Sequence, residues 1–251
     1  MESLVRIRVG VLSVLLFVAC ASGVEEARSW TLLDGSTFEA SFKILMGKTA
    51  VMENSEGKQV KIHLDQLIAE DRERIELKKP PQFNIDFRKK SKLRQVSNRF
   101  GDRSLANMPV VNYFTFGVRL AQRSAGAYNH EVNIEFFAIG AQRRNNNKYI
   151  LLDHQTSSFI PSDENDRSYE FWSPRRVELE EYAVAGGPTR GKKYDTYLII
   201  LTDKNGKVIE AKSEKKWPLE NLENLRKLSI GNFMDTTCTR VYPGRPKPLL
   251  Y

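Results

Sequence analysis

The sequence is short of cysteine, histidine and recognisable catalytic motifs, and each shortage removes a class of protein. Two cysteines among 251 residues cannot build a disulfide scaffold. The three histidines, His63, His130 and His154, stand far apart, with no second ligand at a metal-like spacing. No metal site is therefore expected. Asp163-Glu164-Asn165-Asp166 is acidic but lacks the alternate-position ligands and the glycine of a calcium loop. No nucleophile elbow, phosphate-binding loop or dinucleotide fingerprint occurs, so no cofactor is implied and no catalytic residue is assigned. The uncharged apolar stretch Val9 to Ala19 covers about 16 Å as a helix, half of a hydrocarbon core, which is too short for a permanent span.

What is present describes a basic, foldable chain. Apolar residues make up 41% of it, enough for a core, and 28% are charged, with a formal net charge of +8. The length suits two domains or one large β-domain. Residues 1–23 have the form of a signal peptide: Arg6 and Arg8 precede the apolar stretch, and Ala19-Cys20-Ala21 and Ala21-Ser22-Gly23 both fit a small-x-small cleavage rule. Removing this segment takes the net charge from +8 to +7. Phe17-Val18-Ala19-Cys20 also resembles a bacterial lipobox, with Phe17 where that family prefers leucine; in that case Cys20 would be lipidated and become the new N-terminus. The expected location is periplasmic or extracellular, with a lipoprotein of the envelope as the alternative and membrane contact only if Cys20 carries lipid.

Much of the positive charge lies in Lys78-Lys79 and in Arg88, Lys89, Lys90, Lys92 and Arg94. Nucleic acid is not an expected partner of an exported protein, and no aromatic residue is interleaved with this run as a single-strand binder requires. A solvated strand face is the plain reading, and contact with an anionic envelope polymer or lipid headgroups is the other.

Residues 28–77 alternate in short runs divided by turns. Ser29 to Leu33 reads as a strand, Asp34-Gly35 as a turn, and Phe38, Ala40, Phe42 and Ile44 as the inward face of the next strand. Met46-Gly47-Lys48 and Glu56-Gly57-Lys58 turn the chain again, and Val60, Ile62 and Leu64 face inward while His63 faces out. A meander of this size buries enough only by closing on itself, so a small barrel is expected.

Trp30-Thr31, Asp34-Gly35, Phe38-Glu39-Ala40, Gly57-Lys58, and Leu64 to Leu67 followed by Glu70-Asp71 resemble the SLA homology domain 1 family. That family is named for a yeast endocytic adaptor and is common in exported proteins of planctomycete-like and verrucomicrobial bacteria. The resemblance implies an SH3-like β-barrel and, by analogy with the adaptor, binding of short Asn-Pro-Phe-type peptides. Two positions depart from the pattern. Ile68 stands where a hydroxyl residue would precede the Glu-Asp turn, and Asn54, beside Glu53, stands where the adaptor's pocket has a lysine. Asn54, Lys58 and Lys61 are the candidate peptide-binding positions.

Lys78-Lys79-Pro80-Pro81 is the expected linker, since two prolines refuse both helix and ladder. Residues 82–242 read as an immunoglobulin-like antiparallel β-sandwich with one helix, followed by an extended tail, 243–251. Phe83, Ile85 and Phe87 alternate with polar neighbours. Val132 to Ile139 is apolar on both faces, and Tyr194 to Thr202 is the strongest strand. Gly186-Gly187-Pro188 is a turn between strands, and Asp203-Lys204-Asn205-Gly206 is a hairpin turn. Pro218 opens the helix, whose stripe is Leu219, Leu222, Leu225 and Leu228, and Gly231 closes it. Trp172 and Trp217 suit core packing or a strand-end cover.

The expected whole is a mainly β, non-enzymatic exported adaptor that binds a protein or peptide partner. A carbohydrate-active or hydrolytic accessory protein, with carboxylates converging near Trp172 or Trp217, and a lipid-anchored structural protein are the alternatives. Mass spectrometry of the mature N-terminus should find a chain beginning at Ser22 or Val24; a start at Cys20 with added acyl mass would instead establish lipidation.

Overall fold

A computed structural model of the chain describes residues 27–94, 110–124, 128–143, 147–184 and 187–242. The leader, Cys20 and the tail lie outside these residues. The protein is mainly β, with every sheet antiparallel.

The first unit is a four-stranded meander of β1 (Arg28–Thr31), β2 (Thr37–Met46), β3 (Thr49–Glu53) and β4 (Gln59–His63), paired in chain order. Asp34 Oδ1 accepts from both the N–H and the hydroxyl of Ser36, which sets the first turn. The core is Trp30, Ala40, Phe42, Ala50, Met52, Ile62, Leu64, Leu67 and Ile75. Trp30 is fully buried, and its indole N–H donates to the Ala40 carbonyl at 2.8 Å. Strict alternation would bury Ile44, yet Ile44 is 46% exposed. The register with β3 shifts between Phe42 and Ile44, and one extra residue there reverses the two faces, so Leu45 packs on the core instead.

The expected barrel closure is not made by a ladder: no closed barrel forms among the described residues. A single bridge pairs Leu32 with Leu67, flanked by hydrogen bonds from Leu33 N–H to the Gln66 carbonyl and from Ile68 N–H to the Thr31 carbonyl. Helix α1 (Ala69–Lys78) then covers the open side with the fully buried Ile75. Asp71, in its first turn, accepts from Arg28 and from the Thr31 N–H, each at 2.8 Å. One buried carboxylate thus holds the helix to the first strand. The helix runs through Lys78, so the linker is shorter than the sequence suggests, and the prolines at 80 and 81 mark where it stops.

The second unit contains β5 (Phe83–Arg94), β6 (Val110–Gln122), β7 (Val132–Gln142), β8 (Tyr149–Phe159), β9 (Ser168–Trp172), β10 (Val177–Val184), β11 (Gly187–Thr202), β12 (Val208–Ser213), β13 (Phe233–Met234) and β14 (Arg240–Val241). The strand order is β14-β13-β8-β7-β11-β10-β6-β5, with β12 paired to β11 and β9 to β6. Residues of β5, β6 and β10 pack against residues of β7, β8 and β11 in one core that includes Phe83, Ile85, Phe116, Val118, Ile134, Phe136, Tyr197 and Ile199. This two-layer packing is that of a β-sandwich.

β11 belongs to both layers. Its first residues pair with β10, and Lys192 to Thr202 pair with β7. The change falls at Gly191, where φ is 109° and a Cβ would lie 2.0 Å from the Glu180 carbonyl oxygen. Only glycine fits there. β7 is buried on both faces, as its apolar run implies: Ile134, Phe136 and Ala138 enter the core between the layers, while Phe137 and Ile139 enter a second cluster on the outer side.

That outer cluster is roofed by two short helices rather than the single one expected, α2 (Trp217–Glu220) and α3 (Leu222–Arg226). They break at Asn221, whose side-chain amide donates to the Trp217 carbonyl. The break turns Leu219 outward to 44% exposure, while Leu225 is fully buried. Gly231 donates its N–H to the Leu151 carbonyl and so returns the chain to β8. Cys238 is buried in the same cluster; burial, with Asp235 nearby, pushes its thiol up to about 12.

Replacing Asp71 by alanine should cost about 2–3 kcal/mol, because it strands a buried N–H and a guanidinium together. Equilibrium denaturation of Asp71→Ala against the wild type measures this; an unchanged midpoint would show that α1 is held by packing alone.

Candidate functional site

The three residues singled out in the first unit share the β3–β4 hairpin. Asn54 builds the β3–β4 turn: its Oδ1 accepts from the N–H groups of Glu56 and Lys58, at 3.1 and 2.8 Å. Its side-chain oxygen is therefore occupied by the local backbone. Lys58 lies in that turn and Lys61 opposite Val51, both exposed.

The histidines are each engaged by a carboxylate. His63 is exposed, 3.1 Å from Asp65. His130 lies 2.8 Å from the buried Glu76 of α1. His154 stacks on Phe137 and meets Glu135 at 3.0 Å. Among the described residues no three His, Cys, Asp or Glu side chains are grouped to hold a metal ion. The acidic loop is folded on itself, with Asp163 bound by Arg167 and Asn165 accepting from the Ser162 N–H.

Open clefts among the described residues include two of similar size. One, about 540 Å³, is lined by Asn133, Glu135, Thr156, Ser158, Thr202 and Arg226, among others. Burial alone would push the Glu135 carboxyl up, but hydrogen bonds from His154 and Arg226, with their charge, hold it below the ordinary range. That carboxylate is already paired on both oxygens.

The other cleft is about 590 Å³ and is lined by Lys92, Leu93, Arg94, Tyr113 and Arg176. It sits where the basic run has become the outer half of β5. The position follows from the strand's period of two. Phe83 and Ile85 are buried, and Phe87 stacks on Phe116, Tyr194 and Tyr197. The even-numbered side chains therefore point to the opposite face, where Arg88, Lys90, Lys92 and Arg94 form one row.

Aromatic rings reach this row from neighbouring strands. Lys90 Nζ lies 3.7 Å from the centre of the Trp172 ring, and Arg176 Cζ lies 3.6 Å from that of Tyr113. Tyr113 stands directly opposite Lys92. Lys89, on the other face, lies 4.5 Å from the Tyr194 ring centre. Burial, then Glu214, Tyr197 and Asp195, push the Tyr194 phenol upward, so the ring under Lys89 stays neutral. Trp172 lies flat because Gly117 is beneath it: a Cβ there would be 2.8 Å from the indole and 2.7 Å from the Phe171 carbonyl oxygen. The indole N–H donates to Glu170 at 2.7 Å. Trp217, by contrast, packs against Tyr149 in the roofed cluster.

The aromatics absent from the basic run in sequence are thus supplied in space. Tyr113 and Arg176 carry no local signal, since only the pairing of β6 and β10 brings them to β5. Among the described residues, Lys92, Arg94 and Arg176 have no carboxylate partner.

The backbone of the same segment is also open. β5 ends the strand order, so one of its two edges pairs with no strand among the described residues. Arg123 N–H donates to the Gln82 carbonyl, which makes the even-numbered residues of β5 the ones bonded to β6. Odd-numbered residues turn their N–H and C=O outward. At Phe83 and Ile85 these groups are met by the Glu210 and Lys212 side chains from β12. From Phe87 to Leu93 the alternation presents the same groups off the edge.

No family model matches the chain, and no curated protein matches it. A crystal structure from Akkermansia muciniphila is similar at 13% identity over 59% of this chain and 76% of that one, with a TM-score of 0.24.

Gly117→Val should lift the indole from the sheet and cost about 1–3 kcal/mol through overpacking. Tryptophan emission should shift to the red and acrylamide quenching should rise; unchanged emission and stability would show that the ring does not need this platform.

Proposed function

We propose that the chain is an exported, non-enzymatic binding protein whose sandwich recognises an extended peptide segment of a partner protein by adding it as a strand to β5. The observation that carries this reading is the outward-facing backbone of Phe87–Leu93 at the end of the strand order. An exposed edge offers alternating donors and acceptors that an extended peptide satisfies without chemistry, and side chains beside the edge select among peptides. Natural edges are commonly blunted with lysine, and this one carries Lys89, Lys90 and Lys92. Such charges keep the edge from pairing with a second neutral edge while leaving it open to a complementary strand.

Export rests on the form of residues 1–23. The first unit is read as an SLA homology domain 1-like module that is braced by α1 and carries the sandwich. The Asn54 side-chain oxygen is engaged within its turn, and this reading takes the β5 edge, rather than Asn54, Lys58 and Lys61, as the contact.

A random peptide display library panned on the purified protein tests this. Enriched peptides should bind the wild type and a Lys58→Ala/Lys61→Ala variant alike, and should lose at least about tenfold in affinity on Ser91→Pro. Proline at residue 91 removes an outward N–H without touching the β6 ladder, and edge strands tolerate it. Equal binding to Ser91→Pro, or the absence of any enriched peptide, would overturn the proposal.

A further inference from the structure

The β5 edge and its basic cleft together specify more than an extended partner: they specify its side chains. A strand added to β5 places its own alternate residues beside those of β5, with facing Cβ atoms about 4.5–5.5 Å apart. The even-numbered row therefore meets one face of the guest. On that face Lys90, Lys92 and Arg94 recur at every second residue, about 6.8 Å apart along the strand. Arg176 adds a further cation where the cleft opens beside Lys92 and Arg94. The other face presents Ser91 and Leu93, which is 51% exposed, beside the outer part of the row, while the one cation of that face, Lys89, lies farther in, over the Tyr194 ring.

We infer, on the strand-addition reading above, that the partner segment is an acidic peptide in which Asp or Glu recurs at every second position, with an apolar residue between them to cover Leu93. The argument is charge complementarity in register. Each guest carboxylate at alternate spacing faces one cation, whereas consecutive carboxylates would send every second charge to the Leu93 face. Tyr113 fixes Arg176 over the cleft, and Trp172 fixes Lys90, so two of the cations are positioned before the guest arrives. The carboxylates on this face stand away from the edge. Glu178 and Glu180 are on β10, opposite Tyr113 and Val111 and two strands in; Glu170 is bound to Trp172; Asp86 lies at the far, anchored end of β5. The potential is accordingly positive along the open edge, where the guest would lie, and turns negative only behind it.

Two fluorescently labelled synthetic peptides of identical composition, about nine residues long, provide the test. One alternates glutamate with valine and threonine; the other groups its glutamates at one end. Fluorescence anisotropy with the purified protein should show the alternating peptide binding about tenfold tighter, and losing at least about tenfold in Lys92→Glu/Arg94→Glu but little in Lys92→Arg/Arg94→Lys. Its affinity should fall between about 20 and about 200 mM salt, a wild-type measurement that stands even if the charge-reversed variant folds poorly. Equal affinity for the two peptides would overturn the inference, because a diffuse field would then suffice. So would tighter binding of a polyuronate or a single-stranded DNA than of the alternating peptide. If neither acidic peptide binds while display-selected peptides still require the Ser91 edge, the acidic pattern fails and strand addition stands. If no peptide of any kind binds, both fail.

Discussion

The period-two alternation of β5 is the constraint on which the rest of the molecule turns. One strand begins as core, through Phe83, Ile85 and Phe87, and ends as surface, through Lys90, Lys92 and Arg94, without changing its ladder to β6. The buried half fixes the register for the exposed half. Phe87, packed among Phe116, Tyr194 and Tyr197, holds the phase of the alternation, so the cations cannot slip to the other face without bringing an aromatic ring into water. The row of cations at the open edge is in this sense a by-product of packing at the closed one.

The electrostatics are layered in the same way. Several charges within the fold are paired: Arg28 with Asp71, Arg143 with Glu181, and Arg226 with Glu135. Lys90 and Arg176 are instead held by rings. A ring orients a cation without neutralising it, so the charge remains available to a second group. This distinction separates the β5 face from the polar cleft around Glu135, where a carboxylate is already satisfied by His154 and Arg226.

Much of the architecture was legible in the residues, because it follows from local periodicity. The alternation of Phe83, Ile85 and Phe87, the doubly apolar run of β7, the strength of β11 and the hairpin at Asp203 are read within a few residues of one another. What escaped depends on pairing between distant segments. Ile44 was expected inside, and a single bulge put it outside. Helix α1 carries no strong apolar stripe, and its hold on the meander comes from Asp71 and Ile75. The leucine stripe after Pro218 was real but is divided at Asn221. The site was least legible of all. The basic run was plain, yet the aromatic rings around it come from β6, β9 and β11, and nothing local to residues 88–94 announces them. Asn54, by contrast, was conspicuous as a departure from a family pattern, and its side-chain oxygen is taken up by its own turn.

β11 carries a consequence for how the sandwich resists force. Since one continuous strand is stitched to β10 at its start and to β7 at its finish, the two layers cannot glide past one another as separate plates. A tug delivered at the β5 rim passes through β6 and β10 into β11 and is shared with the roofed layer. The glycine at the crossover, wedged against Glu180, is the hinge pin of that linkage. Sliding one layer over the other therefore means unpairing β11 from β10 or from β7.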